Sequence, residues 1–282
     1  MSEFENAESV PMPVLVLGGK GKTGRRVVER LRARGQQVVV ASRSTVPSFD
    51  WNDPDTWGPV LEGVGAVYIT YQPDLAVPGA VEAVRDFAAL ALKADVHRLV
   101  LLSGRGEEEA QRAERVLQDS GADWTIVRAG WFAQNFSENF LLDGVLAGEV
   151  ALPTSVIREP FVDAGDIADV VVAALTEERH IGQIYEVTGP RLLSFADAIG
   201  EIAKASGRDI RFTEVPAESY KAYLEEAELP DDFVWLIMYL FTTVLDGRNE
   251  HLNDGVQRAL GRPPKDFGDY AREVAATGAW AA

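Results

Sequence analysis

The sequence predicts an α/β fold built on a doubly wound parallel sheet, with a smaller, mostly helical substrate lobe towards the C-terminus. Three observations carry this. Short β-branched runs alternate with segments of helical length through the first half of the chain. The first run, Val14–Leu17, ends in closely spaced glycines and passes at once into a helical segment. After Gly130 the alternation loosens, and aromatic and helical stretches take over.

The elements follow in order. Residues 1–12 are acidic and polar, without the basic and apolar regions of a signal peptide, and are expected to form a disordered tail. Strands are expected at Val14–Leu17, Gln37–Ala41, Ala66–Thr70, Arg98–Leu102 and Trp124–Val127, each short and mostly apolar. Between them Thr23–Arg34, Pro54–Glu62, Pro78–Lys93 and Glu107–Ser120 have helical length and periodicity, with Gly35 and Gly121 suited to C-caps. Right-handed crossovers of this kind leave the strands parallel and helices on both faces. Further on, Trp131–Leu142 reads as an aromatic helix and Asp166–Leu175 as a helix capped by Asp166. Gln183–Thr188 reads as a strand, Ser194–Ala205 as a helix capped by Ser194, and Ile210–Val215 as a strand, with helix thereafter. Phe233–Val244 is very apolar but shorter than the roughly 18 residues of a membrane span, so a buried helix or pocket wall is expected. Residues 13–150 are expected to form the core that carries the glycine turn, and 151–282 to supply the remaining core elements and the lobe, with no linker tract or repeat between them.

Composition narrows the function. The 282 residues carry a formal charge of −17, which argues against nucleic acid or an anionic membrane as partner. There is no cysteine, which removes thiolate catalysis and cysteine-ligated metals and fits a cytoplasmic protein. His97, His180 and His251 are far apart, and no spacing suggests a metal site. The charge says little about a small-molecule site, which can be locally basic inside an acidic protein; aromatic walls in such a chain would suit a cationic or aromatic substrate. The oligomeric state is left open by the sequence.

The glycines carry the chemistry. Gly18, Gly19, Gly21 and Gly24, with Lys20, Lys22 and Thr23 among them, join a strand to a helix start. Such a turn aims backbone N–H groups and the positive helix end at an anion, and a dinucleotide pyrophosphate is the usual occupant. The second strand indicates which dinucleotide. An acid at its tip accepts from a ribose 2′-hydroxyl. Here the tip is Ser42-Arg43-Ser44. A guanidinium attracts the 2′-phosphate that a carboxylate repels, so NADP(H) is the expected cofactor. The plainer alternative is a solvated arginine between turn serines.

With these residues assembled, the chain resembles the NmrA-like atypical short-chain dehydrogenases/reductases. The signature is Thr125-Ile126-Val127-Arg128 running into Trp131-Phe132 and Asn135-Phe136, with Ala129 where the group usually has proline. It is similar in particular to the ergot-alkaloid reductases of the agroclavine dehydrogenase and festuclavine synthase type. Ala41-Ser42-Arg43-Ser44, Phe49-Asp50-Trp51, Leu101-Leu102-Ser103, Pro160-Phe161, Gly189-Pro190 and Leu229-Pro230 continue that likeness over nearly the whole chain. The resemblance implies that Asp50, beside Trp51, faces the adenine amino group. It places Thr70, Tyr71 and Gln72 over the diphosphate and ribose, and Ser103 and Gly104 near the nicotinamide ribose. Trp131, Phe132 and Asn135, with Phe136, would form the nicotinamide and substrate wall. Each has a bland alternative: Asp50 as a cap for the helix near Pro54, Ser103 as a strand-end turn residue, Trp131 and Phe132 as core aromatics.

One expected pair is missing. Ordinary short-chain reductases use Tyr-x-x-x-Lys, and no tyrosine here is followed four residues later by lysine. Aligning Glu114 with the group's common helix glutamate puts Gly106 at the tyrosine position and Ala110 at the lysine position. Two outcomes remain. One is an NADPH-dependent reductase of an imine, iminium or quinone-like molecule that needs no strong protein acid, with Tyr71 and Ser103 as the proton donors to consider. The other is a non-catalytic NADP(H) sensor of the NmrA type. Ser103 lies in Leu-Leu-Ser-Gly-Arg and not in a hydrolase elbow, and the run Glu107–Glu109 is most simply the first turn of a helix.

Overall fold

The computed structural model describes residues 12–154 and 156–281. The tail expected over residues 1–12 lies outside them, Met12 excepted. The first half alternates β1 (Val14–Leu17), α1 (Lys22–Ala33), β2 (Val38–Ala41), α2 (Trp57–Leu61), β3 (Ala66–Ile69), α3 (Ala80–Lys93), β4 (Arg98–Gly104), α4 (Glu108–Gln118) and β5 (Asp123–Ala129). There follow α5 (Asn135–Glu138), α6 (Leu142–Ala147), β6 (Glu149–Leu152), β7 (Arg158–Glu159), α7 (Ala164–Thr176), β8 (Gln183–Val187), β9 (Leu193–Ser194), α8 (Phe195–Ser206) and β10 (Arg211–Glu214). The chain ends with α9 (Ala217–Glu226), α10 (Asp231–Tyr239), α11 (Gly255–Leu260) and α12 (Phe267–Ala276).

Six strands form one parallel sheet in the order β2-β1-β3-β4-β5-β8. The strand alternation sorts side chains to two faces. Leu15, Leu17, Val67, Ile69, Leu99 and Leu101 pack with Val84, Phe87 and Ala91 of α3 and Leu117 of α4. Val14, Val16, Tyr68 and Val100 pack on the opposite face with Val27 and Leu31 of α1 and Ile167 and Val171 of α7. Both faces are therefore buried, as continuous apolar strands require. Because β2 and β3 flank β1 on opposite sides, the winding reverses there, and the C-terminal strand ends open on a crevice.

A third core belongs to the lobe. Trp131, Phe161, Phe195, Phe241, Phe267 and Trp280 meet in it, beneath the parallel pair β6–β10 and the antiparallel pair β7–β9. Phe233–Val244 is indeed helical: α10 runs into a wider π turn, Leu240–Val244, whose apolar face closes over the crevice. Among the described residues no helix is long and apolar enough to cross a membrane.

Two expectations are corrected. Trp131–Leu142 is not one helix, because Phe132 bridges to Val162 and Ala133 N donates to Val162 O, which holds the first residues extended. Only Asn135–Glu138 winds, before α6 begins. Asp166 does not cap its helix. Asp163 does, accepting from Gly165 N at 2.6 Å, while buried Asp166 accepts from Arg262 and from Lys265 N. Ser194 caps α8 as expected, in a reciprocal capping box with Asp197.

Candidate cofactor and substrate site

The β1–α1 turn is shaped by its glycines. Gly18 has φ +63°, and a Cβ there would stand 2.6 Å from Thr70 Oγ1. A Cβ on Gly24 would stand 2.3 Å from Gly18 O, so the helix can start this close to the strand only with glycine at both places. Gly21 N donates to Gly18 O at 2.8 Å and closes the turn. Helix α1 begins with no side-chain cap and no acid in its first turn. Its first N–H groups and dipole are thus left for an outside anion. The cradle fits a dinucleotide pyrophosphate. Thr23 is fixed beneath it, accepting from Tyr68 OH at 2.9 Å.

At the end of β2 the polar side chains converge. Lys20 Nζ donates to Ser44 Oγ at 2.7 Å, and the Ser42 and Ser44 hydroxyls are 3.3 Å apart. Arg43 is exposed and makes no ion pair among the described residues. Two cations and two hydroxyls therefore share one rim, with no carboxylate at the strand tip.

The support behind this rim is aromatic. Trp51 does not line the cavity. It is buried among Phe49, Trp57 and Phe87, and its Nε1 donates to Thr70 O at 2.9 Å. Its ring also backs Tyr71 at 4.9 Å, so it positions the Thr70–Tyr71 edge from behind. Asp50 does not cap the helix near Pro54 either, because Asp53 does, accepting from Asp55 N. Asp50 Oδ1 accepts from Asn52 N at 3.0 Å.

A cavity of about 320 Å³ runs from the glycine turn to the lobe. Gly18, Gly21, Lys22, Thr23, Thr70, Tyr71 and Gln72 line one end; Trp131, Phe132, Asn135, Phe140, Phe233 and Leu240 line the other. Phe136, expected on this wall, is fully buried against Phe161, Phe195 and Phe267 and belongs to the lobe core. Its place is set by Asn135, which turns toward the cavity while the next side chain turns inward.

The proton-donor candidates are also placed. Ser103 Oγ donates to Glu114 Oε1 at 2.5 Å, and Glu114 is held by Arg128 Nε at 2.9 Å. Arg128 reaches on to Glu186 at 2.6 Å. The hydrogen bonds that Arg128 donates to Glu114 hold its guanidinium above the ordinary range, so this chain is fixed as an ion pair. The Ser103 proton is thus engaged away from the cavity. Tyr71 sits half-buried at the edge, where burial and then the charge of Glu82 push its pKa up. The space beside Gly106, which has φ +79°, is taken by Asn249: a Cβ there would stand 2.7 Å from Asn249 Nδ2. The C-terminal segment is pinned there, with Arg105 Nη1 donating to Asn249 O and Nη2 to His251 O, both at 2.9 Å.

Lys22 is the cation nearest the wall. Its Nζ donates to Asn135 Oδ1 at 2.7 Å and lies 5.9 Å from the Phe132 ring centre. Burial pulls its pKa down to about 8, against the pull of Glu138.

Of two carboxyl groups in the cavity wall, the sequence does not mark Asp74 and marks Glu107 only as part of a helix's first turn. Asp74 follows Gln72-Pro73, and Glu107 precedes α4. Glu107 is not a first-turn acid open to solvent like exposed Glu108 and half-buried Glu109. It occupies the N-cap position, 6% exposed, with its side chain turned inward over Gly104. The available signal was its place just past the end of a crevice strand.

The profile of a family described as NAD(P)H-binding matches residues 18–178. Agroclavine dehydrogenase of Claviceps fusiformis is 29% identical over 295 residues, covering 93% of this chain and 97% of that one. An NADPH-dependent quinone oxidoreductase of Escherichia coli, solved with NADPH, superposes with a TM-score of 0.78 at 19% identity, over 93% of this chain and 99% of its own. NmrA, a negative transcriptional regulator, superposes with a TM-score of 0.71 at 15% identity, over 95% and 97%. At these identities the two superpositions are likenesses of fold.

Proposed function

The chain belongs to an NAD(P)H-binding family, and from that premise we propose an atypical short-chain dehydrogenase/reductase of the NmrA-like kind, an NADPH-dependent reductase of a small electron-poor molecule. The acceptor class is an imine, an iminium ion or a quinone-like compound. The observation that carries this reading is the single cavity joining the glycine cradle to the aromatic wall. A site that only sensed the cofactor needs the first end; the second is room for an acceptor.

The bound cofactor supplies hydride. The protein supplies the rest. The uncapped start of α1, with Lys22 and Thr23, holds the pyrophosphate. Lys20, Ser42, Arg43 and Ser44 hold the 2′-phosphate. Trp131, Phe132, Phe140 and Phe233 exclude water and hold the acceptor flat at reacting distance, which is most of what an already electrophilic carbon requires.

The test is NADPH oxidation, followed by absorbance, against quinones, cyclic imines and triphenylmethane dyes. Turnover with one class supports the reading. NADPH binding without turnover on any of them supports the second reading, a non-catalytic NADP(H) sensor, which draws on the fold likeness to NmrA.

A further inference from the structure

We propose that Asp74 and Glu107 share one proton at the cavity wall and deliver it to the acceptor, the task a tyrosine performs in ordinary short-chain reductases. The inference rests on the reductase reading and narrows its substrate to molecules that gain a proton, quinone-like or conjugated carbonyl compounds.

The geometry comes first. Both side chains line the cavity that holds the aromatic wall. The Glu107 carboxyl lies over the C-terminal end of β4, and a Cβ on Gly104 would stand 2.2 Å from its Oε1. Glycine at 104 is thus what lets a carboxyl occupy the crevice edge. Glu107 Oε2 is buried with no hydrogen-bond partner, and neither carboxyl has an ion-pair partner among the described residues. Asp74 is half-buried towards the mouth, its Oδ1 accepting from Ala76 N at 2.8 Å.

The two carboxyls sit within hydrogen-bonding contact of each other. Two carboxylates in contact repel, and neither can donate, so the pair is satisfied only when one proton lies between them. Burial pushes both groups up, and the charge of Asp74 pushes Glu107 further, well above the carboxylate range. Glu114, from α4, adds to that repulsion, and Tyr239, from α10, feels both carboxyls. The pair therefore holds one proton, drawn towards Glu107, the more buried of the two.

The step balances. Hydride adds to the acceptor carbon, and the π electron pair moves to the acceptor oxygen. The Glu107 O–H bond breaks, its electron pair stays on the carboxylate, and a new O–H bond forms on the acceptor. The acceptor is reduced by two electrons and the cofactor oxidised. The dianionic pair then recovers its proton from water through Asp74 at the mouth.

Infrared spectroscopy of the free protein at neutral pH tests the shared proton. In a Glu159→Gln background, which removes the other buried carboxyl that holds a proton near neutrality, a protonated-carboxyl band is expected, lost on adding Glu107→Gln and displaced on adding Asp74→Asn; no such band in that background overturns the proposal. In turnover, Glu107→Gln is expected to slow a quinone acceptor by about 10²–10⁴-fold. Its rate with a permanently cationic iminium acceptor, which needs no proton, should fall by a much smaller factor. Equal losses with both acceptors make the pair structural and overturn the proposal. Asp74→Asn removes the repulsion, so the alkaline fall in quinone rate should move to lower pH; an unmoved profile overturns it too. If the wild type oxidises no NADPH with any acceptor, the reductase reading has failed and takes the proposal with it, and a persisting infrared band identifies which of the two failed.

Discussion

Lys22 Nζ and Asn135 Oδ1 are 2.7 Å apart, and this bond ties the start of α1 to the loop that carries the aromatic wall. The lysine titrates at about 8 in the free protein. A pyrophosphate beside it raises that value, because an opposite charge favours the ammonium form. Cofactor binding then takes up a proton near pH 8. Affinity is fully present below that pH and weakens as pH rises through it. Calorimetry of NADPH binding in buffers of different ionisation heat measures the uptake. Lys22→Met should lose the slope and about tenfold in affinity; a flat wild-type profile contradicts the assignment.

Arg43 is expected to choose the cofactor. A hydrogen bond to a charged group contributes roughly 1.5–3 kcal/mol, or about ten- to a hundredfold in affinity. Arg43→Ala should weaken NADPH by that factor and leave NADH nearly unchanged. Equal Kd values for the two nucleotides in the wild type, unaltered by the substitution, remove Arg43 and its serines from the 2′-phosphate.

Gly24→Ala should break the cradle. The new methyl would stand 2.3 Å from Gly18 O and 2.9 Å from Gly19 Cα, both backbone atoms that cannot rotate aside. A cost of about 3 kcal/mol in stability is expected, as for overpacking at a rigid contact. Thermal unfolding and NADPH fluorescence titration should both report the loss. Gly58→Ala, where nothing lies within 4 Å of the added carbon, is the control.

Glu159 should make stability depend on pH. It is 1% exposed, and neither carboxyl oxygen has a hydrogen-bond partner. Burial lifts its pKa from 4.5 to about 7, tempered by the charge of Arg105. The native state therefore holds this proton more tightly than the unfolded chain. The stabilisation is whole below pH 4.5 and is lost as pH rises through about 7. Glu159→Gln keeps the neutral form. It should match the wild type at pH 4 and exceed it at pH 8, by up to the order of 3 kcal/mol. Denaturant melts at the two pH values measure the difference, and an equal offset at both would contradict it.

The sheet was legible because its strands are buried on both faces and read as unbroken β-branched runs. Val14–Leu17 carries that pattern in full, and the structure starts and stops its strand there. The pairs β7 and β9 were not legible, because two-residue strands have no period to detect. The break in Trp131–Leu142 is a tertiary event: the bridge from Phe132 to Val162 outweighs a local helical pattern. Of the site, the glycine turn and the Ser42–Ser44 rim were legible because backbone geometry and charge are local properties. The inward turn of Glu107 was not. Three glutamates in a row look alike in sequence, and only the open face of Gly104 distinguishes the first.

The clamp between Arg105 and Asn249 joins positions 144 apart. A ribosome adding about 5–20 residues per second exposes Arg105 for roughly 7–30 s before its partner exists. Through that interval the edge of β4 carries a guanidinium without its two backbone acceptors and an unfinished cleft. The cavity wall is complete only once that segment is made, whereas the sheet beneath can order earlier. A chain truncated before Asn249 should keep much of its secondary structure yet never close its pocket.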